Sequence, residues 1–187
     1  MHMISRPIVG YRPRVGIRNY LIEGVSGTGK TAVCKELRHR GYHAINGDTE
    51  LAYQGDPDTG EPTAVVPSHG HHIWRVDRVR DLVASQNERF TFFCGGSRNF
   101  LKFVDLFDGV FVLEIDLGTL IRRLDQRQDY EFGAQQSERD LVVRLHRTKE
   151  DVPQNGIVID ATAPLTDVVD EIVRRAVSKD SNNADLA

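Results

Sequence analysis

Residues 19–31 read NYLIEGVSGTGKT, an apolar run followed directly by a glycine-rich loop. Residues 24–31 complete the pattern G-x-x-x-x-G-K-T. The apolar run predicts a buried strand from Asn19 to Glu23, and a helix is predicted from Lys30 to Arg40 with Gly41 as its stop. A loop between a strand and a helix can cradle a polyphosphate, and this context argues against a chance glycine-rich turn.

Each part of this loop has a chemical task. Glycines let the backbone curl so that several N–H groups face a polyphosphate, and the helix N-terminus adds a partial positive charge. Lys30 is expected to reach the β- and γ-phosphates, and the Thr31 hydroxyl is expected to ligate Mg²⁺. The sequence therefore predicts binding of ATP and Mg²⁺ through Gly24, Val25, Ser26, Gly27, Thr28, Gly29, Lys30 and Thr31. The loop alone does not specify the reaction.

Composition excludes several classes of protein. The chain has 187 residues, 40% hydrophobic and 27% charged, with a formal net charge of −3. These values suit one globular domain and give no support for a nucleic-acid or membrane-surface binder. No apolar run approaches the roughly 18 residues of a spanning helix, the start lacks a signal-peptide core, and Cys34 and Cys94 cannot form a disulfide framework. We expect a cytoplasmic monomer or homodimer without nucleic-acid or membrane partners.

Strands and helices alternate along the chain, which indicates an α/β protein with a parallel sheet covered by helices on both faces. Five strands are predicted, at residues 19–23, 43–46, 91–94, 110–115 and 156–160. Helices are predicted at residues 30–40, 71–89, 99–107, 117–127 and 138–149, and after Pro164. Asp116 is expected to cap a helix, and Ser137 with Asp140 resembles a capping box. We interpret residues 1–18 as an N-terminal arm, 19–177 as the domain and 178–187 as a disordered tail.

Four further motifs lie at the end of a predicted strand or on a predicted helix. They are Asn46–Glu50 (NGDTE), Cys94–Arg98 (CGGSR), the arginines at 122, 123 and 127, and Asp160–Pro164 (DATAP). With the loop, they resemble the nucleoside-monophosphate kinase and shikimate kinase branch of P-loop proteins, which includes adenylate kinase. The resemblance covers residues 19–177. It implies a P-loop NTPase three-layer sandwich with strand order 2-3-1-4-5, an acceptor-binding insert at 51–89 and a short lid at 128–136.

Asp48 and the CGGSR motif are expected to handle the phosphate acceptor. The resemblance implies that Asp48 contacts and orients an acceptor hydroxyl, although the residue could instead be a helix N-cap. It also implies that Gly95, Gly96 and Arg98 bind the acceptor, because glycines allow close backbone approach and a guanidinium is forked. Cys94 departs from the adenylate-type pattern, which has an Asp there. Mg²⁺ would then rely on Thr31, Asp48 and water.

Arg123 and Arg127 lie four residues apart on a predicted helix, so they share a face. In the family, arginines at this place close over the transferring phosphoryl group and exclude water. A solvated basic helix face is the alternative, and Arg139, Arg144 and Arg147 are further candidates. The DATAP turn resembles the one that packs adenine, here through Ala161 and Ala163, although an ordinary strand-to-helix turn has the same form. His69, His71 and His72 lack a convincing fourth ligand for a metal.

These residues favour an ATP-dependent small-molecule kinase. Asp48 favours a hydroxyl acceptor such as a nucleoside or polyol, whereas Arg98 favours an anionic acceptor such as a nucleoside monophosphate. We lean towards a nucleoside or nucleotide kinase-like activity. A nucleotide-binding switch or slow ATPase is the alternative, because Cys94 replaces the expected Asp. Motor and AAA-type ATPases are disfavoured, since no strand ends in a hydrophobic run followed by Asp-Glu.

Overall fold

The computed structural model describes residues 17–64, 68–85 and 87–184. Residues 1–16 of the predicted N-terminal arm lie outside the described residues. The strands are β1 (Arg18–Glu23), β2 (His43–Asn46), β3 (Ala52–Gln54), β4 (His72–Trp74), β5 (Phe90–Cys94), β6 (Gly109–Glu114) and β7 (Ile157–Asp160). The helices are α1 (Lys30–His39), α2 (Gly47–Glu50), α3 (Val76–Ala84), α4 (Leu117–Asp125), α5 (Gln136–Thr148) and α6 (Leu165–Ala184).

Five of these strands form one parallel sheet in the order β2-β5-β1-β6-β7. Counted along the chain, the parallel strands stand in the order 2-3-1-4-5, which confirms the predicted topology. Ile22 of β1 pairs with Cys94 of β5, so Glu23, the last residue of β1, lies beside Gly95, the first residue after β5. The carboxyl ends of parallel strands share one edge of the sheet, and a ligand binds there. The phosphate-binding loop and the CGGSR motif therefore meet at the centre of that edge.

Each face of the sheet buries its own apolar cluster, because successive side chains of a strand point to opposite faces. Tyr20 and Phe92 lie in a cluster with Leu37 of α1 and residues of α4, α5 and α6. Leu21 and Phe93 lie in a second cluster with Trp74, Val79 of α3 and Phe103. Helices cover both faces, which confirms the predicted three-layer sandwich.

The predicted helix at 71–89 begins too early. His72–Trp74 forms strand β4, which pairs antiparallel with β3, and α3 starts only at Val76. Trp74 explains the difference. Its side chain is buried, and its backbone N–H donates to Ser97 Oγ at 3.0 Å and Asn99 Oδ1 at 3.1 Å. The helical spacing of the apolar residues continues into this strand by chance.

Other helix boundaries also differ from the prediction. The capping box was wrong, because α5 begins at Gln136 and Ser137 lies inside it. Asp116, in contrast, caps α4 by accepting from the Thr119 N–H at 2.9 Å. The segment at 99–107 forms two short 3₁₀ turns, at Phe100–Lys102 and Val104–Leu106. Helix α6 runs on to Ala184, into the segment that the sequence assigned to a disordered tail from Ser178.

Candidate phosphate-transfer site

The phosphate-binding loop is closed by its own backbone. The Thr28 N–H and hydroxyl both donate to the Val25 carbonyl, at 3.2 and 2.9 Å. Gly29 precedes α1 with φ of 107°, in the left-handed region that favours glycine. Lys30 Nζ lies across the loop and donates to the carbonyls of Gly24 and Val25, at 2.5 and 3.3 Å. The Lys30 ammonium group therefore lies within the loop, in a position to contact phosphates that the loop binds.

Glu23 is a buried carboxylate that the sequence analysis did not single out. It ends β1 and is 1% exposed. Its carboxylate accepts the N–H of Gly24 at 3.0 Å and the N–H of Ser97 at 3.2 Å, so it joins the phosphate-binding loop to the CGGSR motif. Burial raises the pKa of Glu23 to about 7, although the positive charge of Lys30 opposes the rise. A lone acid inside an apolar strand, one residue before the loop, was the signal available in the sequence.

Asp48 lies in α2 and faces the same edge. Its Oδ1 accepts the Gly96 N–H at 3.1 Å and lies 3.2 Å from His72 Nε2. Burial would raise the pKa of Asp48, but the hydrogen bond from His72 and the charge of Lys30 outweigh it and hold the pKa below its usual value. The carboxylate is therefore ionised at neutral pH. The N-cap alternative fails, because Asp48 is the second residue of α2 and Ala52 lies in a strand.

Arg98 is already engaged by a residue that the sequence analysis did not single out. Its Nη1 lies 3.1 Å from Asp151 Oδ2, and its Nη2 donates to the Asp151 carbonyl at 3.0 Å. His69 Nε2 lies 3.3 Å from the same Oδ2. Asp151 follows α5, far from Arg98 along the chain, so no local sequence signal could have paired them. Burial would raise the pKa of Asp151, but His69 and Arg98 outweigh it and lower the pKa.

Arg123 and Arg127 both reach the phosphate-binding loop. Arg123 donates to the carbonyls of Gly27, Thr28 and Ala161, at 3.1, 3.0 and 2.9 Å. Arg127 Nη2 donates to Ser26 Oγ at 3.1 Å, and burial lowers its pKa. The predicted shared face is therefore present, and Arg127 carries a poorly hydrated charge beside the loop.

Three other arginines of the lid region, Arg122, Arg139 and Arg144, have partners elsewhere. Arg122 donates to Thr119 Oγ1, Arg139 pairs with Asp125, and Arg144 pairs with Glu150. The DATAP turn is closed by Asp160 Oδ1, which accepts from the Thr162 N–H and hydroxyl. Ala161 is buried in this turn, and Ala163 is half-buried. The turn carries Ala161 to the Arg123 guanidinium and so lies next to the phosphate-binding loop.

A cleft of about 660 Å³ connects these groups. Its lining includes Lys30, Asp48, Gly96 and Arg98, together with residues of the insert and of the lid segment. Phe132 of the lid stacks on His69 of the insert, with ring centroids 5.4 Å apart and planes 15° apart. The lid segment and the insert therefore meet beside the cleft.

The side chains at this edge fit magnesium better than a transition metal. Among the described residues, no group of three or more His, Cys, Asp or Glu side chains could hold a metal ion by itself. The Thr31 hydroxyl and the Asp48 carboxylate supply oxygen atoms, which Mg²⁺ prefers, and Mg²⁺ usually keeps water and substrate phosphates in its shell.

A glycine-rich loop at the centre of a 2-3-1-4-5 parallel sheet defines a P-loop protein with the fold of small-molecule kinases. Solved structures of small-molecule kinases share this fold, including those of a sugar kinase, a gluconokinase and a shikimate kinase. A sugar kinase from Janibacter sp. HTCC2649 is 16% identical, with a TM-score of 0.53 over 85% of this chain and 94% of that one. A gluconokinase from Sinorhizobium meliloti 1021 is 17% identical, with a TM-score of 0.50 over 90% and 94%. A shikimate kinase from Bacteroides thetaiotaomicron is 12% identical, with a TM-score of 0.53 over 86% and 99%.

Residues 21–144 match the family described as AAA domain, and the chain belongs to that family. The sequence disfavoured motor and AAA-type ATPases, and this match concerns the family of the domain rather than an ATPase activity. No curated protein matches the sequence. Within the described residues, no helix combines the length and apolar character needed to cross a lipid bilayer.

Proposed function

We propose that the protein transfers a phosphoryl group from ATP to a hydroxyl group of a small molecule, with nucleosides among the acceptors to test first. The observation that carries the proposal is the placement of Lys30 and an ionised Asp48 on one cleft. Lys30 can neutralise transferring phosphates, and a carboxylate facing them can hold an acceptor hydroxyl. Arg98 supports a hydroxyl rather than a phosphate acceptor, because Asp151 already occupies its guanidinium.

Each residue has a defined part in this reaction. Lys30 would exchange the carbonyls of Gly24 and Val25 for phosphate oxygens. Asp48 would accept the hydrogen bond of the acceptor hydroxyl through Oδ2, since no hydrogen bond in the described part of the chain involves that oxygen. Mg²⁺, when bound through Thr31, Asp48 and water, would neutralise charge on the phosphates. Two free buried cysteines, Cys34 and Cys94, support a reducing compartment such as the cytoplasm.

Arg127 would stabilise charge on the transferring group. Its guanidinium is partly buried and lies at Ser26, so a phosphate on the loop would replace a neutral hydroxyl as its partner. Arg123 has a different part, because three carbonyls occupy its guanidinium. We assign Arg123 to positioning the loop rather than to contact with the phosphoryl group.

A nucleotide-dependent switch is the second candidate. It is favoured by the contact between His69 and Phe132, through which nucleotide binding could be transmitted from the lid segment to the insert. A switch would bind ATP tightly without turnover, or hydrolyse it at a rate that no acceptor changes.

The deciding experiment measures ADP release from ATP–Mg²⁺ with a panel of nucleosides, nucleoside monophosphates, sugars and polyols. We expect strong stimulation by one hydroxyl-bearing class, and we expect Lys30→Ala to abolish it while the variant stays folded. Unchanged turnover in Lys30→Ala would contradict the role of the loop. Turnover that no acceptor stimulates would favour the switch or slow ATPase.

Asp48→Asn tests the acceptor side of the same reaction. The substitution keeps the shape but removes the charge, so kcat should fall by about 10²–10⁴-fold while the Kd for ATP changes little. ATP affinity is measured by titration and kcat by ADP release. An equal loss of both quantities would mean that Asp48 only supports the fold of the loop.

A further inference from the structure

Resting on the proposed function, we infer that the acceptor is a neutral or cationic polyhydroxy compound that donates a hydrogen bond to Asp151 Oδ1. A phosphate- or carboxylate-bearing acceptor is disfavoured. Three features of the cleft carry this inference: the neutralised arginine, the buried oxygen of Asp151 that has no partner, and the excess of carboxylates.

The first feature is the state of Arg98, the cation placed to recognise an acceptor anion. One of its terminal nitrogens pairs with the Asp151 carboxylate at 3.1 Å, and the other donates to the Asp151 carbonyl at 3.0 Å. Both side chains are largely buried, 14% and 5% exposed, so water screens the pair weakly. An anionic acceptor would have to share Arg98 with a buried carboxylate that already neutralises its charge, and the two anions would repel each other.

The second feature is an oxygen that lacks a partner. Asp151 Oδ2 is taken by Arg98 and lies 3.3 Å from His69, whereas Oδ1 is buried and has no hydrogen-bond partner among the described residues. Buried polar atoms normally have a hydrogen-bond partner, so we expect a bound ligand to donate a hydrogen bond to this oxygen. Asp151 lines the cleft. Oδ1 has almost no exposed surface, so a hydroxyl or ammonium group of the acceptor would satisfy it once the side chains around it move, whereas a phosphate or carboxylate would be repelled by it.

The third feature is the charge of the cleft as a whole. Its lining holds two permanent cations, Lys30 and Arg98, and Lys30 is committed to the donor phosphates. Its carboxylates are those of Asp48, Asp129, Glu131, Glu138 and Asp151. Like charges brought together in a site are strongly disfavoured. The lining as a whole therefore carries more permanent negative charge than positive charge, and of these carboxylates Asp151 contacts Arg98 and Asp48 contacts Gly96.

The test compares acceptors that share a scaffold and differ in charge. We would titrate a hexose, its amino sugar and its aldonic acid, and a nucleoside with its monophosphate, into the protein holding a non-hydrolysable ATP analogue and Mg²⁺. ADP release would be followed with the same compounds and ATP. Wild-type protein should bind the neutral or amino member of at least one scaffold about tenfold more tightly than the anionic member.

Asp151→Asn should reduce that ratio by about tenfold, because it frees the charge of Arg98 and removes a carboxylate. Asp105→Asn, at an exposed aspartate outside the cleft, is the matched control and should leave the ratio unchanged. Unfolding by urea shows whether Asp151→Asn is folded. If it is not, the wild-type ratios decide alone.

Tightest binding of an anionic member by wild-type protein would overturn the inference, as would a folded Asp151→Asn variant with an unchanged ratio. Absence of binding by every compound would overturn the acceptor site itself. The expected order of binding without ADP release above the Lys30→Ala background would retain the charge preference and remove the proposed phosphoryl transfer. Phosphorylation of an anionic acceptor alone would retain the proposed phosphoryl transfer and overturn the charge preference.

Discussion

Glu23 shows how a single residue can couple the candidate site to pH. Its carboxylate joins Gly24 to Ser97 while it is fully withdrawn from water, and burial raises its pKa from 4.5 to about 7. The folded protein therefore holds this proton more tightly than the unfolded chain does. The stabilising contribution is complete below about pH 4.5 and is lost as the pH rises towards 7.

Glu23→Gln should remove this pH dependence, because glutamine is neutral throughout. Between pH 4.5 and 7.5, wild-type protein should lose about 3 kcal/mol more of its free energy of unfolding than the variant. Urea unfolding at several pH values measures the difference, and Asp48 and Asp151 contribute equally to both proteins. Glu88→Gln, at an exposed glutamate, is the control and should follow wild-type protein. Parallel curves for wild-type and Glu23→Gln would contradict the burial argument.

At the scale of elements, Trp74 of β4 packs the insert against α2 and Phe103. The indole lies against Gly47 at the start of α2, where a Cβ would come within 2.0 Å of Trp74 Cζ2. It also stacks on Phe103, with ring centroids 5.5 Å apart and planes 1° apart. Because α2 carries Asp48, the position of this carboxylate depends on the close approach of Gly47 and Trp74.

Gly47→Ala should therefore disturb both stability and the site. Overpacking of this kind typically costs about 1–3 kcal/mol, which urea unfolding would show. Displacement of α2 should also lower kcat, measured with the acceptor found in the panel. Gly70→Ala is the matched control, because nothing lies within 4 Å of a Cβ at Gly70 and its backbone is unstrained. Equal midpoints for the two variants would show that Trp74 moves aside without cost.

The elements also show what the sequence could and could not predict. The five parallel strands and the loop at 24–31 were readable, because apolar runs and a glycine pattern are local signals. The β3–β4 hairpin was not, because Ala52 and Trp74 pair across a long irregular stretch. In the candidate site, Lys30 was proposed from the loop motif and Asp48 from its position after a predicted strand, and both line the cleft. Asp151 was missed, because its role depends on a contact with Arg98 that only folding creates.

At the scale of the whole molecule, Arg123 ties together three separated parts of the chain. From α4 it reaches the phosphate-binding loop at Gly27 and Thr28, and the turn after β7 at Ala161. The loop follows the central strand β1, and the turn follows the edge strand β7. One guanidinium therefore connects the loop, where we expect the phosphates of ATP to bind, with the turn, where we expect the adenine to bind.

Arg123→Ala should remove the hydrogen bonds that hold both the phosphate-binding loop and the turn after β7. Three backbone carbonyls lose a charged donor, so the free energy of unfolding should fall by about 1–3 kcal/mol. The Kd for ATP should rise by about tenfold or more, because the loop must then be ordered by the nucleotide itself. Arg122→Ala is the matched control, since Arg122 is the adjacent residue of α4 and its hydrogen bond goes to Thr119 within the same helix. Both variants would be compared by urea unfolding without nucleotide and by ATP titration. If Arg123→Ala loses stability but keeps its ATP affinity, the guanidinium supports the fold only. If it loses affinity alone, the loop is already ordered without it, and Arg123 must contact the nucleotide directly.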